Sequence, residues 1–259
     1  MTTSQLTVAA IQMKATPFTK ETNLQKAEQL IEQAARQHAS LIVLPELFST
    51  GYAVAVQDQA LSEPIPGPTT TRLHTICQRF NITVAGGIIE QSSVAGVLYN
   101  TTVVISPEGV TGKYRKTYLW GDEKNRFRAG THTQPLLEAA SLKLGTQICY
   151  EIGFPEPARA LTTAGIDLLL VNAAFSQKRI YAWDIATRAR ALENGLFVIG
   201  SNQAGTDDFS AFGGQSRIVN PQGQVVVEAT AEDQAIVTEI DLSETPLQRQ
   251  DLPYLRDLK

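Results

Sequence analysis

Gly145-Thr146-Gln147-Ile148-Cys149-Tyr150-Glu151-Ile152-Gly153-Phe154-Pro155-Glu156 is the stretch on which the reading of this chain turns. Just before and within it, Leu142, Leu144, Thr146 and Ile148 alternate as in a half-buried strand, and Phe154-Pro155-Glu156-Pro157 supplies a turn and a first helical turn. Cys149 therefore falls at a strand-to-helix corner. Such a corner exposes a side chain while the next backbone N–H groups point at the atom it would attack, and the Tyr150 N–H is the obvious donor. A free cysteine more commonly packs as a small hydrophobe, so its role rests on what the rest of the chain brings to it.

The same periodicities continue outward from the corner. A helix runs to Ala164 and is stopped by Gly165, a strand covers 167–171, a helix of about 180–194 is closed by Gly195, and 196–201 is a further strand. Segments 214–219, 224–227 and 235–240 finish the strands, the first two joined through Pro221-Gln222-Gly223. Before the corner, 6–12 reads as a largely buried first strand. Leu24, Ala27, Leu30, Ile31, Ala34 and Ala35 then form one apolar stripe of a helix reaching about His38, with Thr22 and Gln25 as a capping box. Leu41-Ile42-Val43-Leu44 is a continuous apolar run, as in a strand covered on both faces, and it ends at Pro45-Glu46. Segment 62–68 is a proline-rich loop, 69–80 a helix, and 82–88 and 98–106 are strands. Ser106-Pro107-Glu108-Gly109 marks a turn before another short strand, and 113–130 is charged, aromatic and less regular. Helices interspersed with strands predict one α/β domain over residues 1–259 with a mixed sheet. Beyond about residue 241, Pro246, Pro253 and the lack of periodicity predict an extended C-terminal arm.

Composition narrows the function. With 26 acidic and 22 basic side chains the formal net charge is -4, and no Lys/Arg run compensates locally, so no nucleic-acid partner is expected. No stretch approaches the roughly 18 consecutive apolar residues of a membrane span. Met1-Thr2-Thr3-Ser4-Gln5 is polar and runs straight into a strand pattern, which points to a cytoplasmic protein rather than an exported one. Cys77 and Cys149 are too few for a disulfide framework, and three scattered histidines without a CxxC predict neither metal nor cofactor.

Three segments place an ionisable residue where packing alone would not ask for one. In Leu44-Pro45-Glu46-Leu47-Phe48 a carboxylate is hemmed in by apolar neighbours, which raises its pKa by desolvation and suits a general base. In Tyr114-Arg115-Lys116-Thr117-Tyr118-Leu119-Trp120, Lys116 is either a snorkelling surface residue or a fixed positive charge facing a developing oxyanion. In Gly121-Asp122-Glu123-Lys124-Asn125-Arg126-Phe127, Glu123 follows Lys116 by seven positions, and the segment by itself reads as a charged surface loop.

Glu46 in PELF, Lys116 in YRKTYLW and Cys149 in ICYEIGFPE occur in the order and approximate spacing of the nitrilase superfamily, the carbon-nitrogen hydrolases, which the chain resembles over nearly its whole length. Arg190-Ala191-Leu192-Glu193-Asn194-Gly195 and the segment 214–223 resemble two further motifs of that family, and five matches in order are specific where one alone is weak. The resemblance implies a four-layer αββα sandwich with mixed sheets, and monomers paired through helices near the nucleophile and through the C-terminal arm. It also implies a Glu-Lys-Cys triad: Glu46 as base and later acid, Lys116 as oxyanion stabiliser, Cys149 as nucleophile, with Glu123 as an ordering carboxylate. On this reading the protein is a cofactor-independent amidase that converts a small linear carboxamide to acid and ammonia through a cysteine thioester. A nitrilase or an N-carbamoyl amidase would use the same triad on another electrophile.

Many members carry Asp and Arg where this chain has Glu151 and Gly153; the glycine widens the pocket or removes a contact to an acidic substrate, which counts against an obligatory carboxylate in the substrate. Tyr52, Trp120, Phe175 and Trp183 are candidate pocket walls or core aromatics, whereas Arg188, Arg190, Glu193 and Asn194 read as a structural polar network. Two competing readings are a Cys77-His74 hydrolase, the pair being three residues apart on a helix, and a scaffold protein without turnover. Cys77 lies on an apolar stripe, as a structural thiol would, and a scaffold has little reason to retain Glu46, Lys116 and Cys149 together.

Overall fold

Alternation along each strand sends neighbouring side chains to opposite faces, and two six-stranded sheets stack on the faces they share. In the strand Gln5–Gln12, Val8 and Ala10 enter the space between the sheets, whereas Ala9 and Ile11 face the helices outside. Across that space stand Leu168 and Leu170 of the strand Leu168–Ala173, whose alternate residues Leu169 and Val171 face the opposite helix layer. The structure, a computed structural model, describes residues 4–131, 135–139, 142–207 and 210–258; His132 lies outside them.

The first sheet runs Gln234–Asp241, Gln5–Gln12, Leu41–Val43, Thr83–Gln91, Leu98–Ser106, Gly109–Arg115 from edge to edge. The second runs Val225–Glu228, Arg217–Val219, Phe197–Asn202, Leu168–Ala173, Leu142–Ile148, Leu137–Ala139. Both are mixed, with three parallel strands in each and antiparallel strands outside them. Helices Lys20–Arg36 and Pro68–Phe80 cover the outer face of the first sheet through Leu24, Ala27, Ile31 and Leu73. Pro155–Thr163 and Ile180–Asn194 cover the second through Ala158, Leu161, Trp183 and Ala191. The result is the expected αββα sandwich, in which each fully buried Leu or Ile contributes roughly 1.5–3 kcal/mol. The carboxyl ends of the parallel strands meet at one rim, since the Glu46 N–H donates to Ala173 O at 3.4 Å from one sheet to the other. Among the described residues, no helix is long and apolar enough to cross a membrane.

Three local expectations change, and a fourth, that Cys77 is a structural thiol, stands. The first helix begins at Lys20, so Thr22 is inside it and Gln25 donates to Glu21 Oε1 at 2.8 Å instead of closing a capping box. Segment 113–130 is more ordered than its composition suggested, because the edge strand extends to Arg115 and Glu123–Arg126 forms one helical turn. The segment read as extended is helical over Glu244–Asp251. Pro246 fits there because N–H groups of the first turn have no helical partner, and Arg249 anchors the helix by donating to Asn194 O at 3.1 Å. Finally, Cys77 and His74 are not a catalytic couple: burial pushes the Cys77 thiol up to about 12, its Sγ donates to Ile105 O at 3.4 Å, and His74 Nε2 is engaged with Pro107 O at 2.9 Å.

Candidate active site

Cys149 follows the strand Leu142–Ile148 and opens a short 3-10 helix, Cys149–Gly153, with φ of 51°. A side-chain-bearing residue in this left-handed region stores strain and turns the thiol out of the strand direction. Leu47, the residue after Glu46, shares the feature with φ of 49°. Glu46 is held from below by Gly87, whose missing side chain matters, since a Cβ there would meet Glu46 Cα at 2.8 Å and Leu47 N at 2.9 Å. Gln203 Nε2 donates to Glu46 O at 2.8 Å. Asn172 bridges the two sheets nearby by donating to Leu44 O at 2.5 Å and accepting from Thr102 Oγ1 at 2.9 Å.

Lys116 follows the edge strand Gly109–Arg115 and is fully buried, so its charge must be paired. Its Nζ donates to Glu46 Oε1 at 2.7 Å and to Glu123 Oε1 at 2.8 Å, both partners being buried as well. The two carboxylates differ in what they have left. Glu123 Oε1 also accepts from Tyr52 OH at 2.8 Å and Asn100 Nδ2 at 3.5 Å, and its Oε2 accepts from the Trp120 N–H at 2.8 Å. Glu46 Oε1 accepts from Lys116 and, at 2.7 Å, from Asn100 Nδ2, whereas Glu46 Oε2 is buried with no hydrogen-bond partner among the described residues. A buried acceptor left unpartnered in this way can take a proton; one already engaged cannot do so without giving up a bond.

Burial opposes charge on the thiol, the phenol and the Glu46 carboxyl of the site. Burial pushes the Cys149 thiol well above its ordinary value and the Glu46 charge adds to this, with Lys116 and an Ala174 backbone hydrogen bond only partly opposing. Burial likewise raises the Glu46 carboxyl, against the pull of Lys116 and with the help of Glu123. For Lys116 burial acts downward, but Glu46 and Glu123 outweigh it and hold the ammonium well above its usual range. Burial raises the Tyr52 phenol too, reinforced by Glu123 and Glu46. Lys116 Nζ thus lies between the Glu46 and Glu123 side chains, beside a thiol whose ionisation burial opposes.

Glu151 was noted in the sequence only as a departure from a pattern, yet it ties the lysine loop to the cysteine corner. Its Oε1 accepts from the N–H groups of Thr117 at 2.7 Å and Tyr118 at 3.1 Å and from Tyr114 OH at 2.8 Å, and its Oε2 from the Ile148 N–H at 2.8 Å. From the other side Arg190 fastens the end of the same 3-10 turn, donating to Ile152 O at 3.0 Å and Gly153 O at 3.3 Å. The polar network read around Arg190 is thus present and braces the corner. Asn100 was missed; its one signal was a polar run, Asn100-Thr101-Thr102, inside an otherwise apolar strand.

A cleft of about 280 Å³ opens above Cys149, lined by Tyr52, Trp120, Tyr150, Phe175 and Phe212 and, opposite, by Gly153, Ala174, Ala182 and Ala186. Tyr150 sits in the first turn after the strand, where a backbone N–H has no helical partner, and its ring packs on Trp120 at 4.8 Å. Of the four candidate walls, Tyr52, Trp120 and Phe175 line the cleft, and so does Tyr150, which the sequence singled out for its backbone N–H. Trp183 does not. It is fully buried against Gly200, with Nε1 donating to Gln215 O at 2.8 Å, and supports Phe175 from behind with ring centroids 5.6 Å apart.

Comparison with known proteins agrees with this architecture. Residues 7–250 match the family model described as carbon-nitrogen hydrolase. The chain is 36% identical over 239 residues to a nitrilase of Pyrococcus abyssi, covering 91% of this chain and 89% of that one. It is 31% identical over 256 residues to the 2-oxoglutaramate amidase of Bacillus subtilis, covering 98% and 97%. A double mutant of the amidase from Nesterenkonia sp. AN1, solved in complex with acrylamide, superposes with a TM-score of 0.88 at 26% identity over 100% of this chain and 96% of that one. With the family model spanning most of its length and the sandwich shared with its solved relatives, the chain belongs to the carbon-nitrogen hydrolase family, in the amidase-like branch of the nitrilase superfamily, and is a hydrolase of carbon–nitrogen bonds.

Proposed function

We propose that the protein is a cysteine amidase that hydrolyses a small carboxamide to the carboxylic acid and ammonia. The observation that carries this reading is the buried, unpartnered carboxylate oxygen Glu46 Oε2, in a site where Lys116 occupies the other oxygen and the Cys149 thiol, its ionisation opposed by burial, stands alongside. Glu46 Oε2 takes the Cys149 proton as sulfur adds to the amide carbon, and the oxyanion is held by Lys116 Nζ and the Tyr150 N–H. Collapse breaks the C–N bond; the proton returns from Glu46 to the nitrogen and ammonia leaves. The thioester then meets a water whose proton passes to Glu46, the C–S bond breaks, and the acid departs as the thiol regains its proton. Atoms balance as amide plus water to acid plus ammonia, with no cofactor. Glu123 holds the lysine and Tyr52 in place.

Ammonia release from small amides, nitriles and N-carbamoyl compounds, with Cys149→Ala and Glu46→Gln beside the wild type, tests this. Turnover of amides by the wild type alone supports it. Nitriles as the preferred substrates would shift the reaction to that of a nitrilase, the name of the Pyrococcus abyssi relative, and carbamoyl compounds to that of an N-carbamoyl amidase. Retained activity in Cys149→Ala would end the cysteine mechanism. We further propose a homodimer, because Tyr181, Ile185 and Leu192 expose one apolar stripe of the helix Ile180–Asn194, and Leu247, Tyr254 and Leu258 remain exposed near the C-terminus. Light scattering of Ile185→Glu against the wild type tests the pairing; a wild-type monomer at micromolar concentration refutes it.

A further inference from the structure

The cleft is apolar and aromatic along most of its wall, with Arg179 as its one charged lining residue among the described residues. Arg179 ends the turn Gln177–Arg179 that leads into the helix Ile180–Asn194, and its guanidinium lies over the Trp120 ring at 4.9 Å from the centroid. Stacking on an indole face fixes the plane of the guanidinium and leaves its edge, with paired N–H donors, directed away from the ring. The other arginines of the fold mostly spend that edge on carboxylates: Arg115 on Glu90, Arg126 on Asp58, Arg217 on Asp184 and Glu228. The Arg179 guanidinium donates only to Ser176 Oγ, at 3.2 Å, and makes no ion pair among the described residues. Lys178, also exposed, adds a second positive charge on the same turn of a chain whose net charge is -4. Gly153, on the small-residue wall, has nothing within 4 Å of where a Cβ would stand, so an acyl chain has open space on its way past the cysteine corner.

We propose that Arg179 is a specificity-determining residue that selects amides whose acyl chain ends in a carboxylate, the amide lying at Cys149 and the carboxylate pairing with the guanidinium edge at the mouth. This rests on the amidase reading for its chemistry, and it reverses the inference drawn from Gly153 alone: the cation absent beside the nucleophile is supplied from the helix entrance. Before cleavage the substrate is a dicarboxylic acid monoamide, and after it a dicarboxylate, so the second carboxylate forms at Cys149 while the first stays at Arg179.

The test compares monoamides of four- to six-carbon dicarboxylic acids with neutral amides of equal chain length, in wild type, Arg179→Gln, Arg179→Lys and Arg179→Glu. A charge-assisted pair of this kind predicts a preference of roughly ten- to a hundredfold in kcat/KM for the acidic amide, carried mainly by KM and reduced by added salt. Arg179→Gln brings the acidic-to-neutral ratio near one, Arg179→Lys restores part of it, and Arg179→Glu turns the preference toward amides with an ω-ammonium group. A wild-type ratio near one, or a ratio unchanged by Arg179→Gln, overturns the proposal. Calorimetric binding of succinate and glutarate to Cys149→Ala, with and without Arg179→Gln, reads the same site without turnover. If no amide is hydrolysed, the amidase reading fails, and this binding alone decides: loss of dicarboxylate affinity with Arg179→Gln supports the anion site, and equal or absent affinity in both overturns it.

Discussion

Replacing Lys116 by methionine keeps an unbranched side chain, one heavy atom shorter, and deletes its charge and N–H donors, leaving Glu46 and Glu123 buried with no cation between them. Breaking a buried ion pair by removing one partner costs about 3–5 kcal/mol, a large share of the roughly 5–15 kcal/mol that holds a domain folded. In a protein of this size that is a fall in Tm of roughly 10 °C. Its pH dependence follows from the direction of each shift. The Lys116 pKa is raised above the ordinary lysine value, so its stabilising contribution is fully present below that value and is lost only as pH rises through the folded pKa; at neutral pH the wild type has all of it. Without the lysine, burial and the Glu123 charge raise Glu46 further. A raised carboxyl contributes stability at low pH that is lost as pH rises, so the deficit of Lys116→Met widens from about pH 5.5 to about pH 8.5. Urea unfolding of wild type, Lys116→Met and Lys116→Met/Glu46→Gln at both pH values measures this, and the double variant recovers part of the loss by removing one of the two charges. Equal midpoints for wild type and Lys116→Met at both pH values would refute the buried ion-pair argument.

Glu46→Gln keeps the shape of the site and removes its free proton acceptor, so kcat falls by roughly 10²–10⁴ while binding of a non-hydrolysed product is little changed; calorimetry beside the ammonia assay separates the two. Alkylation at about pH 8 modifies Cys149 well before Cys77, because Cys149 lines the open cleft and Cys77 is fully buried, and mass spectrometry that finds equal labelling would contradict the structure. Gly87→Ala forces a Cβ against the Glu46 backbone and costs roughly 1–3 kcal/mol of stability with a loss of kcat, whereas unchanged kinetics would show that Glu46 is not positioned from beneath. Glu151→Gln puts an amide donor where four donors converge, leaving at least one N–H or O–H unpaired; a destabilisation of roughly 1–3 kcal/mol by urea unfolding is expected.

Much of the fold was legible in the chain because it depends on near neighbours. Leu24, Ala27, Leu30, Ile31 and Ala34 form the buried stripe of the first helix, and Leu41 to Val43 a buried strand, as their spacing predicts. The helix closed by Gly195 ends there with the glycine at φ of 54°. Errors came where the deciding contact is distant. Glu244–Asp251 folds as a helix because Arg249 reaches Asn194, 55 residues back, and Thr22 is no cap because the preceding chain already turns into the helix at Lys20.

The sequence by itself determined the alternation of strands and helices, the corner at Cys149 and the set of ionisable residues worth following. Only the tertiary structure decided how these residues divide the work. Lys116 and Glu46 are 70 positions apart and meet across the strands of one sheet, and the strand supplying Asn100 is what leaves Glu46 with one free oxygen while Glu123 is saturated. Trp183 turns to the core and Arg179 to the cleft for the same reason: which face of a turn or helix meets a sheet is set by packing between elements, and local composition carries no record of it.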